Sequence, residues 1–310
     1  MEEDHVNDHR GWDQLLPDTL GLIFCKLSLK ELLTVVPIVC KSWDKVVKGP
    51  FCWQEIDILD WCNNEFSPEK IDRMVRMLIT RSGGSLRKLY VCRLQGDPIF
   101  SFIADNARCL QILVCAGSDM SNDVIEMTAG KFSSLTSLDL SYCLHIGDRA
   151  LEAIGKNCRL LSSLRRNMYM FHMETFHNEE ARAIAGTMRK LKHLEIRNFR
   201  VETNAVLEII AKCGDLELLD VRGCHNLNID HLKLKNKFHN LMILGPCLDL
   251  ESFIAFLNRN WVEQFNTYIR RFNRHEMFKN DNDDGHVHVH TWVMPPTLVE
   301  HYLNSFLMLL

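Results

Sequence analysis

The sequence has no run of about 18 apolar residues, so no membrane-crossing helix is expected. It has no basic-then-apolar opening; Met1-Glu-Glu-Asp-His5 is acidic, unlike a secretory leader. None of its twelve cysteines forms a C-x-x-C pair, the close spacing by which structural zinc sites usually announce themselves. Twelve thiols in an unsecreted chain should stay reduced, and the expectation is an intracellular protein of the nucleus and/or cytoplasm. There is little excess of one charge: 36 Lys+Arg against 40 Asp+Glu give a formal net charge of −4. That balance offers no global attraction to nucleic acid or to an anionic membrane, and neither is expected as a partner. Phosphate-cradling, dinucleotide, nucleophile-elbow and zinc-protease motifs are also missing. No cofactor, metal or catalytic residue is therefore assigned.

What is present is a repeat. The pattern L-x-x-L-x-apolar occurs at Leu86/Leu89/Val91, Leu110/Leu113/Cys115, Leu135/Leu138/Leu140, Leu191/Leu194/Ile196 and Leu216/Leu219/Val221. Degraded copies stand at Leu161/Leu164/Arg166 and Leu241/Leu244/Pro246, and Trp53/Ile56/Ile58 is a candidate opening unit. Successive first leucines, from Leu86 on, are 24, 25, 26, 30, 25 and 25 residues apart. Helix-like stretches follow the strands: Asp97-Pro98 reads as an N-cap with proline in the first turn, and Asp148 and Thr203 lead further apolar stripes. A strand-plus-helix unit of this length is the leucine-rich-repeat signature, predicting an α/β solenoid with parallel strands on the concave face and helices on the convex face. The alternative, an ordinary α/β domain with leucine-rich strands, does not account for spacings this regular. Cys143 and Cys224 fall eight residues after a first leucine, Cys158 and Cys213 three before one. These four are expected to be buried, unpaired packing residues.

The first fifty residues read differently. Pro17 suits the first turn of a helix carrying Leu20, Ile23, Phe24 and Leu27; Ser28-Leu-Lys-Glu31 is a capping box for a second helix. Pro37 interrupts or restarts that helix, and Val39, Cys40, Trp43 and Val46 mark a third stripe. Three short helices this apolar either dock on a partner or cap the solenoid's first repeat.

Leu16-Pro17-Asp-x-Leu20-x-x-Ile23-Phe24-x-x-Leu27, then Leu32-Leu33, Val39-Cys40-Lys-x-Trp43 and Trp53, resembles the F-box motif almost position by position. Followed by leucine-rich repeats, it resembles the plant F-box/leucine-rich-repeat family, over roughly residues 12–247. The resemblance implies a substrate receptor of a Skp–cullin–F-box ubiquitin ligase: a non-catalytic subunit that docks on a Skp-type adaptor, and through it on cullin and RING subunits. Its repeats would hold a protein substrate for ubiquitination. It also implies an adaptor interface of Leu16, Pro17, Leu20, Ile23, Phe24, Leu27, Val39, Cys40 and Trp43. Several of these must instead hold the helices together; Trp43 is assigned to the core and Leu16-Pro17 to contact.

The chain accordingly divides into an acidic tail at 1–11, expected to be disordered, an F-box at 12–58, a linker or first repeat at 59–85, repeats at 86–247, and a helical cap or tail at 248–310. Strand alternation points Tyr90, Asp139, Arg165, His193, Glu195, Arg197, Asp220 and Arg222 to the concave face, the candidate substrate surface. Glu195 and Asp220 are expected near Arg197 and Arg222, as cross-strand ion pairs or as a polar surface for an acidic or phosphorylated segment. The long fourth interval inserts Met168-Tyr-Met-Phe-His-Met-Glu-Thr-Phe176-His177, a contact loop or one folded back on the solenoid. His286-x-His288-x-His290 lacks a completing ligand, and counting Gly285 as position six puts Thr291 where an EF-hand needs glutamate. A non-degradative repeat scaffold or inhibitor remains the alternative, with a small-molecule co-receptor behind it.

Overall fold

The repeated leucines become one sheet. In the computed structural model, Trp12 and residues 15–64, 67–169, 175–224, 226–229, 234 and 238–246 are described. They fall in the first of two units, 1–247 and 248–310. The acidic tail at 1–11, the centre of the insertion, the 248–310 segment and His286, His288 and His290 lie outside the described residues.

Eight strands run in chain order, all parallel: β1 (Glu55–Asp57), β2 (Lys88–Cys92), β3 (Ile112–Ala116), β4 (Ser137–Asp139), β5 (Ser163–Arg165), β6 (His193–Glu195), β7 (Leu218–Asp220) and β8 (Met242–Leu244). The register aligns the second apolar position of each unit: Ile56 on Leu89, Leu89 on Leu113, then Leu138, Leu164, Leu194 and Leu219. The last copy is corrected by one residue, because Leu219 pairs with Ile243 and Leu244 falls opposite Asp220. Because side chains alternate along a strand, this register buries the aligned Leu or Ile of β1 to β7, half-buries Ile243 of β8, and leaves the immediate neighbours on the opposite face. A one-residue slip would turn the whole stack outward. The opening unit is real: β1 is a full member of the sheet, so the repeats begin at Trp53.

Four helical segments precede the sheet: α1 (Pro17–Phe24), α2 (Leu29–Thr34), α3 (Val36–Val39) and α4 (Lys41–Lys48). Then come α5 (Leu59–Asn64), α6 (Pro68–Ser82), α7 (Asp97–Asn106), α8 (Asn122–Thr128), α9 (Asp148–Asn157), α10 (Asn178–Thr187) and α11 (Thr203–Lys212). Residues 59–85 thus contain the helices of the first repeat. Among the described residues no helix is long and apolar enough to cross a membrane.

The units are tied by devices that recur with the repeat. Asp97 does not cap its own helix, whose N-cap is Gly96. Its carboxylate instead accepts from the Ser121 amide at 2.8 Å and the Ser121 hydroxyl at 2.7 Å, one unit along. Asn122 does the same for the Gly147 amide, Asn178 for Glu202 and Thr203 for Asn228, at 2.8–2.9 Å. At Ser121, Gly147 and Glu202, which immediately precede α8, α9 and α11, the first residue of one helix thus satisfies an otherwise orphaned amide ahead of the next helix. A left-handed residue follows many strands: Arg93, Gly117, Tyr142, Asn198 and Gly223, with φ from 57° to 78°.

Cys143, Cys158, Cys213 and Cys224 are buried thiols. Their Sγ atoms donate to carbonyls of the preceding coil: Cys143 to Cys115, Cys158 to Ala129, Cys213 to Met188 and Cys224 to Ile196, at 3.2–3.9 Å. Burial pushes the thiols of Cys158, Cys213 and Cys224 up to about 12, 11 and 12. A small, weakly donating side chain between coils is the packing role the spacing indicated.

Candidate functional site

Two surfaces bear on function: the N-terminal helices and the outward face of the sheet. In the first, the Ser28 hydroxyl accepts from the Glu31 amide at 3.3 Å, and the Ser28 amide donates to Glu31 Oε2 at 2.8 Å. The Ser28 amide and the Ser28 hydroxyl, which also donates to Oε2 at 2.8 Å, hold the Glu31 carboxyl below its ordinary value. Pro37 sits in the first turn of α3, so the chain breaks after α2 and restarts rather than running as one helix. Gly21 lets α1 lie against the Pro50–Cys52 turn that follows α4: a Cβ there would stand 2.5 Å from Phe51 Cβ. The Trp53 indole is buried and donates to the Val47 carbonyl at 2.7 Å, fastening the helices to the first repeat.

Packing divides the proposed adaptor residues. Leu20 and Phe24 are fully buried, and Trp43, half-buried, packs edge-on against Phe24 with ring centroids 5.0 Å apart. This corrects the assignment of Leu20 and Phe24 to contact: side chains closed in by α4 hold the helices together and present nothing to a partner. Leu16, Pro17, Ile23, Leu27 and Val39 are exposed, and Cys40 is half-buried. Leu22, Val35 and Ile38 are exposed as well, Ile38 at 81%, and sequence reasoning missed all three. The helical period carried the signal for Leu22, since 20 and 24 share a face that 22 does not. Nine of the fifteen large apolar side chains exposed among the described residues lie between Trp12 and Phe51.

On the sheet, the outward positions are those the alternation assigns. Tyr90 and Asp139 are half-buried on β2 and β4, and burial raises the Asp139 carboxyl above its ordinary range although Ser141 donates to it. Arg165 Nε donates to Glu195 Oε1 across strands at 2.8 Å. Asp220, buried, accepts a two-pronged bond from Arg222 two residues on, at 2.6 and 3.0 Å, with Arg197 Nε at 3.8 Å. His193 is exposed, its Nε2 3.9 Å from Glu217. All three arginines therefore face carboxylates of this chain. One pairing is local rather than cross-strand, because Asp220 and Arg222 lie two apart along the chain at the end of β7.

Arg166 has no counterpart in the other units. It occupies the inward position held elsewhere by Val91, Cys115, Leu140, Ile196 and Val221, and it is completely buried. Its guanidinium reaches Glu180 Oε2 at 3.1 Å and the Ile146 carbonyl at 2.6 Å, and lies 5.9 Å from the Phe199 ring centroid. Among the described residues no cluster of three His, Cys, Asp or Glu could hold a metal.

No protein-family model matches the chain. Among curated proteins it is 50% identical to F-box protein FBW2 of Arabidopsis thaliana over 248 residues, covering 79% of this chain and 78% of that one. It is 33% identical to F-box protein SKIP1 over 252 residues (74% and 82%), and 32% identical to F-box/LRR-repeat protein 9 over 231 residues (72% and 91%), both of Arabidopsis thaliana. A solved complex of Rad7 and Elc1 in yeast aligns at 20% identity and TM-score 0.44, over 58% of this chain and 46% of that one. The chain belongs to the plant F-box/leucine-rich-repeat family.

Proposed function

We propose that the protein is the substrate-recognition subunit of a Skp–cullin–F-box ubiquitin ligase, docking on a Skp-type adaptor through α1–α3 and holding a protein substrate on its repeats. The observation that carries this reading is the concentration of exposed apolar side chains on residues 12–51, well beyond the scattered surface hydrophobics of an ordinary monomer. Leu16, Pro17, Leu22, Ile23, Leu27, Val35, Ile38 and Val39 form the adaptor-facing set. The receptor supplies no catalytic group; tethering substrate beside a charged conjugating enzyme raises the effective concentration of its lysines. The substrate surface is the outward sheet face, including Tyr90, Asp139, Arg165, His193, Glu195, Arg197, Asp220 and Arg222, with its ion pairs fixing a polar pattern rather than offering bare charge. Pull-down with a Skp-type adaptor tests the interface: the Leu16→Ala/Pro17→Ala double variant should lose binding, and equal recovery of variant and wild type contradicts the assignment.

A further inference from the structure

The sheet-face arginines already face carboxylates, but another row of cations does not. Each repeat turns from helix to strand through the same tight turn, closed by the amide of its first leucine: Leu110 to Ala107, Leu161 to Cys158 and Leu191 to Met188, at 3.0–3.2 Å. The tip of that turn, two residues before the leucine, is Arg108, Arg159 and Arg189 in these units. All three are exposed, as are Lys190 beside the last and Arg87 at the neighbouring strand entry. The parallel sheet sets every such turn on one edge. Backbone bonds stack this edge unit on unit: Gln111 on Arg87, Thr136 on Gln111, Ser162 on Thr136 and Lys192 on Ser162. Other cations there are matched, Lys131 by Asp105, Lys156 by Glu152 and Lys192 by Glu217. No salt bridge engages Arg87, Arg108, Arg159, Arg189 or Lys190 among the described residues.

We infer that this edge is a docking surface for an extended acidic protein segment, seated across the turns that open β3 to β6. Arg108 and Arg189 are three strands apart, about 14 Å at the usual strand spacing, which four to five extended residues span. Leu160, 56% exposed between Arg159 and the strand, adds an apolar contact within the row. Two observations favour protein over nucleic acid: no aromatic side chain interleaves these cations to stack a base, and the chain's formal net charge of −4 opposes a polyanion beyond the row. The competing role is complementing the C-terminal dipoles of α7, α9 and α10, which needs no ligand and acts on stability alone. The inference concerns the repeats and stands whether or not α1–α3 bind an adaptor.

The full chain is titrated with a fluorescein-labelled octaglutamate peptide, octaserine and single-stranded oligothymidine at 0.15 M salt, beside R108Q/R159Q/R189Q and the matching triple lysine variant. The expected result is saturable octaglutamate binding, at least tenfold weaker in the glutamine variant, retained in the lysine variant and weakened by added salt. Thermal unfolding shows that each variant is folded. No octaglutamate binding by wild type, binding unchanged by the glutamine substitutions, or tighter binding of oligothymidine than of octaglutamate overturns the inference.

Discussion

Removing the carboxylate opposite Arg166 should cost more than any other single charge deletion in the repeats. Arg166 is 1% exposed and Glu180 12%, so water cannot replace either partner. Glu180→Ala leaves a guanidinium that cannot discharge, held by the Ile146 carbonyl, the Met168 sulfur and the Phe199 ring but by no counter-charge. Breaking a buried pair in this way costs about 3–5 kcal/mol, or roughly 6–20 °C of unfolding midpoint for a domain of this size. Arg166→Leu should cost less at low pH, because the stranded carboxyl can take a proton. Burial already raises the Glu180 carboxyl, and loss of Arg166 removes the main influence lowering it. A raised carboxyl gives its full stability below the unfolded value and loses it as pH rises through the folded value. The Arg166→Leu deficit should therefore be larger at pH 8 than at pH 5. Arg166→Leu/Glu180→Leu should recover most of the loss, since apolar side chains fill that position in the other units. Circular dichroism through thermal and urea unfolding reads all four proteins. A Glu180→Ala midpoint indistinguishable from wild type, or a double variant as unstable as both singles combined, would refute the reasoning.

Further outcomes follow from the same packing. Gly223 has φ +78°, and an added Cβ would lie 2.0 Å from Asn198 Oδ1, so Gly223→Ala should lower the unfolding midpoint while Gly84→Ala, with open space around it, costs only its φ strain. Calorimetry separates them. Cys158, Cys213 and Cys224 should resist a thiol reagent at pH 8 in the native protein and react fully in urea, whereas exposed Cys109 should react in both, as peptide mass spectrometry would show. Leu20→Ala should cost about 2–5 kcal/mol of stability, because its side chain is wholly buried among the N-terminal helices.

The sheet was legible because a two-residue period leaves little choice: once Leu89, Leu113 and Leu138 are aligned, every neighbouring side chain has a face. The packing cysteines followed from the same register. The N-terminal helices were harder. A helical stripe marks which side is apolar, yet Leu20 and Ile23 share a stripe while only Leu20 is covered. Which part is covered depends on where α4 crosses, and that is a tertiary fact. Arg166 looked like decay of the repeat because its partner lies 14 residues away on α10, within no local pattern. The partners of Arg197 and Arg222 were foreseen only as a group, since the cross-strand logic overlooked that Arg222 reaches its own strand's Asp220 first.

The central claim, that the exposed apolar side of α1–α3 is an adaptor interface, is tested most directly by calorimetric titration of a Skp-type adaptor into wild type and Ile38→Ser/Val39→Ser. These side chains are 81% and 54% exposed, so the substitution should leave unfolding unchanged. If the adaptor covers them, roughly 2–4 kcal/mol of apolar burial is lost, about a 30- to 900-fold weaker Kd. Equal affinity of a folded Ile38→Ser/Val39→Ser variant and wild type would contradict it.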